Sequence, residues 1–166
     1  DRNHNDFGIK KINESINKLF LEFQFLENFK VVGLEFGFNI DLNSIGLNVS
    51  PEELIKKKIA HYQLVDPGIV ETFHGKGFLK RFKRENYHIK VYDKSKQFNL
   101  TDPILRVELK ILNMKDIGEM NINVLKDLGK KEVLELLYTK FKIRIHQLLI
   151  HDCLLYTSDA ADEEDS

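Results

Sequence analysis

The chain has 166 residues, 42% hydrophobic and 31% charged, with 25 basic against 26 acidic side chains and a formal net charge of −1. That length suffices for one domain with a proper core. One cysteine, and no apolar run of eighteen residues, exclude an intrachain disulfide framework, a thiolate metal cluster and a membrane-spanning helix.

Residues 1–6 are polar. From Phe7, the residues Ile9, Ile12, Ile16, Leu19, Phe20 and Phe23 recur every three or four positions, with Lys10, Lys11, Glu14 and Lys18 behind them. This spacing predicts an amphipathic helix ending near Asn28. Val32 to Asp41 alternates strictly: Leu34, Phe36, Phe38 and Ile40 face one way, and Glu35, Gly37, Asn39 and Asp41 the other. That is a strand with one buried face. Ser50-Pro51-Glu52-Glu53 reads as an N-cap, a first-turn proline and two acids at the positive end of a helix running to about Gln63. Asp66-Pro67-Gly68 predicts a turn.

Gly75 to Lys96 is strongly basic, with Lys76, Lys80, Arg81, Lys83, Arg84, Lys90, Lys94 and Lys96 against Glu85 and Asp93. The run Lys80 to Arg84 reads as a solvated loop. Tyr87 to Lys94 predicts a strand, with Tyr87, Ile89 and Val91 inward and His88, Lys90, Tyr92 and Lys94 outward. Thr101-Asp102-Pro103 breaks the chain before a third alternating run, with Leu105, Val107, Leu109 and Ile111 inward and Arg106, Glu108 and Lys110 outward. Residues 123–149 are helical in pattern, interrupted at Gly129. The fold class expected is α+β, a mainly antiparallel sheet with helices packed on one face, forming a single domain over residues 1–152.

At Cys153 the composition shifts abruptly, and no Lys or Arg follows. The eleven residues from Cys153 to Glu163 resemble the translation of a sequencing-library adapter. Residues 153–166 are therefore expected to be an artefactual, disordered tail that packs against nothing, on a fragment truncated at both ends. The tail holds five of the 26 acids, so the rest of the chain has 25 basic against 21 acidic residues, a net of +4.

If the three strands share a sheet, their polar faces combine into one surface displaying Glu35, Asn39, Asp41, His88, Lys90, Tyr92, Lys94, Arg106, Glu108 and Lys110. Carboxylates from two strands suit a hard divalent cation. A tyrosine beside lysine suits a nucleophile, and basic residues suit a phosphate backbone. Phe78, Phe82 and Tyr87, interleaved with the basic run, offer stacking platforms to bases. The plainer alternative is a solvated sheet face crossed by Glu–Lys pairs. His61, His74, His146 and His151 have no ligand-like spacing. There is no phosphate-binding glycine loop and no Gly-x-Ser-x-Gly element.

Two blocks carry a resemblance. Leu34-Glu35-Phe36-Gly37-Phe38-Asn39-Ile40 is one; Ile89-Lys90-Val91-Tyr92-Asp93-Lys94 followed by Leu105-Arg106-Val107-Glu108-Leu109-Lys110 is the other. Together they resemble the rolling-circle replication initiators of phages and plasmids, in particular the filamentous-phage replication family in its Bacteroidetes-type form. The resemblance implies an enzyme of the bacterial host cytoplasm that nicks and rejoins single-stranded origin DNA through a tyrosine, with a divalent metal, Mg or Mn. It makes Tyr92 the nucleophile candidate, with Lys94 at the phosphate, Glu35 and Glu108 as metal ligands, and Lys80, Arg81, Lys83, Arg84, Lys90 and Lys96 on DNA. The chain lacks the His-x-His motif of many such initiators, and Tyr92-x-x-Ser95 is not their Tyr-x-x-Lys spacing. Tyr87-x-x-Lys90 has that spacing, but Tyr87 falls on the core side. A non-catalytic DNA-binding module, or a structural protein of a phage or mobile element, stays open beside this reading, as does a purely structural Tyr92.

Overall fold

The computed structural model describes residues 8–62, 71–72 and 77–150. The predicted turn at Asp66-Pro67-Gly68 and the tail at 153–166 lie outside them.

The first helix, α1, spans Ile9–Glu22 and buries Ile16. It stops earlier than its periodicity predicts. Phe23 leaves the helical region at φ −136°, ψ 75°, and a 3₁₀ turn covers Gln24–Asn28. Phe23, Phe25 and Phe29 then stack edge to face, with centroids 6.0 and 5.6 Å apart.

Strand β1 is Leu34–Asp41. Asp41 ends it by accepting hydrogen bonds from the Asn43 amide (3.1 Å) and the Ser44 hydroxyl (2.7 Å). Ser50 caps α2 (Pro51–Glu53), its hydroxyl accepting from the Glu53 amide at 3.1 Å. The helix predicted to reach Gln63 instead widens into a π turn at Leu54–Lys58 and gives way to β2, Ile59–Tyr62. The short strand β3 is Glu71–Thr72.

The basic run expected as a loop is mostly strand β4, Phe78–Lys83, joined to β5, Tyr87–Asp93, by a tight turn in which the Arg84 amide donates to the Tyr87 carbonyl (2.9 Å). Its charges hid the alternation: Lys80 and Phe82 are buried toward the core, whereas Arg81 and Lys83 point the other way. Lys94, expected on β5, instead opens the short helix α3, Lys94–Phe98, capped by the Asp93 carboxylate on the Lys96 amide (3.0 Å).

Strand β6 is Ile104–Ile111. Two 3₁₀ segments follow, Met114–Met120 and Leu125–Gly129. Helix α4, Lys131–Ile145, is shorter than the predicted helical stretch, because Leu148–Ile150 forms β7 and pairs with β2. That pairing joins segments far apart in sequence, which local periodicity does not record.

The main sheet has the order β1-β6-β5-β4-β3 and is antiparallel throughout. One face carries Phe82, Ile89, Val91, Val107, Leu109 and Ile111 into the core, against Ile55, Ile117, Val133, Leu137 and Phe141 from the helices and turns. Phe141 of α4 lies 4.6 Å from the Phe38 ring. Each side chain buried this way contributes about 1.5–3 kcal/mol. The fold is thus α+β with helices packed against one face of the sheet. Among the described residues, no helix is long and apolar enough to cross a membrane.

Candidate functional site

The strand registers arrange the opposite face in rows. Asn39, Arg106, Tyr92 and Leu79 stand side by side across β1, β6, β5 and β4. The next row is Gly37, Glu108, Lys90 and Arg81, and the third is Glu35, Lys110, His88 and Lys83. Glu35, Tyr92 and Glu108 therefore point to one side of one sheet, as expected.

Glu108 is the hub. It is only 7% exposed, because Gly37 opposite it leaves space for its stem. A Cβ on Gly37 would sit 2.4 Å from the Val107 carbonyl oxygen and 2.7 Å from Glu108 Cγ. Glu108 Oε1 accepts from the Tyr92 hydroxyl (2.8 Å) and from Arg106 Nε (2.6 Å), and its Oε2 accepts from Lys90 Nζ (3.4 Å). Lys90 also donates to Glu35 (2.9 Å). Asn39 Oδ1 accepts from both Arg106 and Lys94, each at 3.0 Å. These charges have tertiary partners on three strands and α3, so the cluster exists only once the sheet is assembled.

Burial pushes the Glu108 carboxyl up, but hydrogen bonds from Arg106 and Tyr92 and one shared with Glu35 outweigh it, leaving Glu108 below its usual range. The Tyr92 phenol is pushed up, by burial first and then by the charge of Glu108. His88 is pushed down by burial and then by Arg81, Lys83, Lys110 and Lys90 around it. That crowding marks an electropositive surface: the three rows hold five permanent cations (Arg81, Lys83, Lys90, Arg106, Lys110) against two carboxylates (Glu35, Glu108). A pocket of about 420 Å³ opens at one end, lined by Glu35, Tyr92, Lys94, Gln97, Phe98, Arg106 and Glu108.

The expected DNA-contact residues divide. Lys90, Arg81 and Lys83 lie on the open face. Lys80 does not: it is buried on the core side and donates to the Ile59 carbonyl at 2.5 Å. Lys96 forms an ion pair with Glu52 of α2. Arg84 lies at the β4–β5 turn, lining a separate cavity with Lys83, Tyr87 and Arg144. Tyr87, the alternative tyrosine, faces the core side as expected. Its hydroxyl accepts from Arg144 (2.6 Å) and lies 3.0 Å from the Tyr62 hydroxyl.

The expected metal ligands Glu35 and Glu108 are brought together, but with Lys90 between them and Arg106 on Glu108. Two carboxylates among Lys90, Lys94 and Arg106 leave a net positive cluster, which fits an anion and not a divalent cation. Among the described residues, no group of three or more Cys, His, Asp or Glu side chains is placed to hold a metal.

Sequence reasoning put Asn39 and Arg106 on this surface without assigning them a role, and it missed Gln97 and Phe98. The signal for the latter pair was Asp93, a good N-cap residue placed to end β5 and start α3. Comparison of the chain with protein-family models, curated proteins and solved structures found no significant match.

Proposed function

We propose that the chain nicks and rejoins single-stranded DNA in the manner of a rolling-circle replication initiator, with Tyr92 as nucleophile and Glu108 as its general base. The observation that carries this is the Tyr92 hydroxyl, 2.8 Å from a carboxylate oxygen, at a pocket also lined by Arg106 and Lys94. In the reaction the Tyr92 oxygen bonds to a backbone phosphorus while the bond from phosphorus to the 3′ oxygen breaks. The phenol proton passes to Glu108, and the leaving oxygen takes a proton from water to become a free 3′-hydroxyl. Arg106 and Lys94 face the phosphate and stabilise the charge that builds on it.

At rest the proton transfer is uphill, because Glu108 is held low and Tyr92 is held high. A phosphate that draws Arg106 away from Glu108 removes the main partner that holds the carboxyl low, so substrate binding itself strengthens the base. Stability alone gives little reason for the cluster, since buried ion pairs can often be replaced by apolar residues without loss. A divalent metal enters only through the resemblance, and no step here is routed through it.

The test is incubation of the protein with single-stranded origin DNA, with and without Mg²⁺ or Mn²⁺, followed by denaturing electrophoresis. A covalent protein–DNA adduct is expected, and Tyr92→Phe should abolish it. An undiminished adduct in Tyr92→Phe removes Tyr92 from the mechanism. A second reading, a DNA-binding face without catalysis, is favoured by the burial of Tyr92. It predicts salt-dependent binding and no adduct from any variant.

A further inference from the structure

We propose that the pocket beside Tyr92 seats one unstacked nucleobase of a single strand, stacked on Phe98 and hydrogen-bonded through a base N–H to Gln97 Oε1. This deepens the reading of the open face as a nucleic-acid surface and rests on it. Two features of α3 carry it. Gln97 lines the pocket, and its Oε1 is buried with no hydrogen-bond partner, so turning the amide into the pocket costs that oxygen no bond. Native structures leave few such acceptors unpaired, so one in a binding pocket points to a donor supplied by the ligand. Phe98 adds a half-buried aromatic ring to the same wall, the kind of surface on which bases stack whatever their identity.

The rest of the lining suits the remainder of a nucleotide. Lys94 Nζ is 5.6 Å from the Phe98 centroid, and with Arg106 it puts positive charge next to the ring. A phosphate meets these cations while its base lies against Phe98. The volume of about 420 Å³ falls within the range of small-ligand pockets. A paired duplex base is stacked on both sides and has its edge occupied, so a single strand fits and a duplex does not. An acceptor at Gln97 takes a base N–H, and every base offers one: an exocyclic amine on adenine, cytosine and guanine, or a ring N–H on thymine and guanine.

Fluorescence anisotropy of labelled twelve-nucleotide dA, dC and dT strands and of an abasic strand of equal length, with the full chain at fixed salt, tests this. All three should bind about tenfold more tightly than the abasic strand, within the range expected for stacking of one base. Gln97→Leu should weaken all three by about fivefold, the loss of one neutral hydrogen bond, and leave the abasic strand unchanged. Phe98→Leu should weaken all three by about tenfold, and Phe98→Tyr should not, since stacking follows the ring and not the apolar volume. Thermal melts of each variant separate loss of binding from loss of folding. Equal binding of the abasic strand, or parental binding by both Gln97→Leu and Phe98→Leu, overturns the base seat. Competition by deoxyadenosine monophosphate as strong as that by the dA strand also overturns it, since the ligand is then a free nucleotide. The nicking proposal fails separately, through an adduct that persists in Tyr92→Phe, and that result leaves the base seat standing.

Discussion

Tyr87 and Tyr92 stand five positions apart on β5, so the strand sends them to opposite faces of the sheet. Both are buried and both have an arginine nearby, yet their hydroxyls play opposite parts. Tyr92 donates to the Glu108 carboxylate, which Arg106 also holds. Tyr87 accepts from Arg144, whose guanidinium also covers its ring at 4.0 Å and binds Asp116 at 3.1 Å. A phenol facing a carboxylate has somewhere to send its proton. A phenol that accepts from an arginine is held as a brace between α4 and the sheet. The difference teaches that hydrogen-bond direction separates a candidate nucleophile from a structural tyrosine, where residue type and burial do not.

The sharpest way to break this comparison is to remove the base and not the phenol. Glu108→Gln should lower adduct formation by about 10³-fold, within the usual range for general-base catalysis. Single-turnover nicking assays measure it, and a loss below tenfold would deny Glu108 that role. Gly37→Ala comes next. Its methyl group would collide with the β6 backbone, so a loss of about 2 kcal/mol in urea unfolding is expected, the cost of overpacking. Adduct formation should fall with it, because Glu108 has to move. Tyr87→Phe should cost about 1 kcal/mol, one hydrogen-bonding group, and leave nicking within threefold of the parent. A large loss of nicking in Tyr87→Phe would erase the distinction between the two tyrosines.

The smallest effect is alkaline. Burial and the Tyr87 hydroxyl push Tyr62 up to about 12, and burial with the Glu108 charge pushes Tyr92 up as well. Both keep their protons in the folded chain at a pH where the unfolded chain, with tyrosines near 10, has lost them. Their contribution is therefore complete below pH 10 and is lost as the pH rises toward 12. Melting temperatures followed between pH 9 and 11.5 should fall less steeply in Tyr62→Phe and in Tyr92→Phe than in the parent. Asp127 supplies the acidic counterpart on neither face. Lys130 and the amides of Val124 and Asn123 hold it at about 2, so its contribution is present above pH 4 and is lost as the pH falls toward 2.

Alternation alone was enough to determine β1, β5 and β6 and the side of its strand each residue faces, so that Glu35, Tyr92 and Glu108 share a surface once the strands share a sheet. A two-residue period follows from strand geometry and needs no partner. The Ser50 cap was legible for the same reason, being satisfied within four residues. Only the tertiary structure decided which of those residues touch. Strand order and register set Glu108 between Gly37 and Lys90, beside the row that holds Arg106 and Tyr92. They also turned an expected pair of metal ligands into partners of Lys90 and Arg106. Lys80 went to the core, and Ile59–Tyr62 became a strand, because each found a partner distant in sequence, the Ile59 carbonyl for one and β7 for the other. Such choices depend on the free energy of the assembled sheet and helices, and no local pattern encodes that.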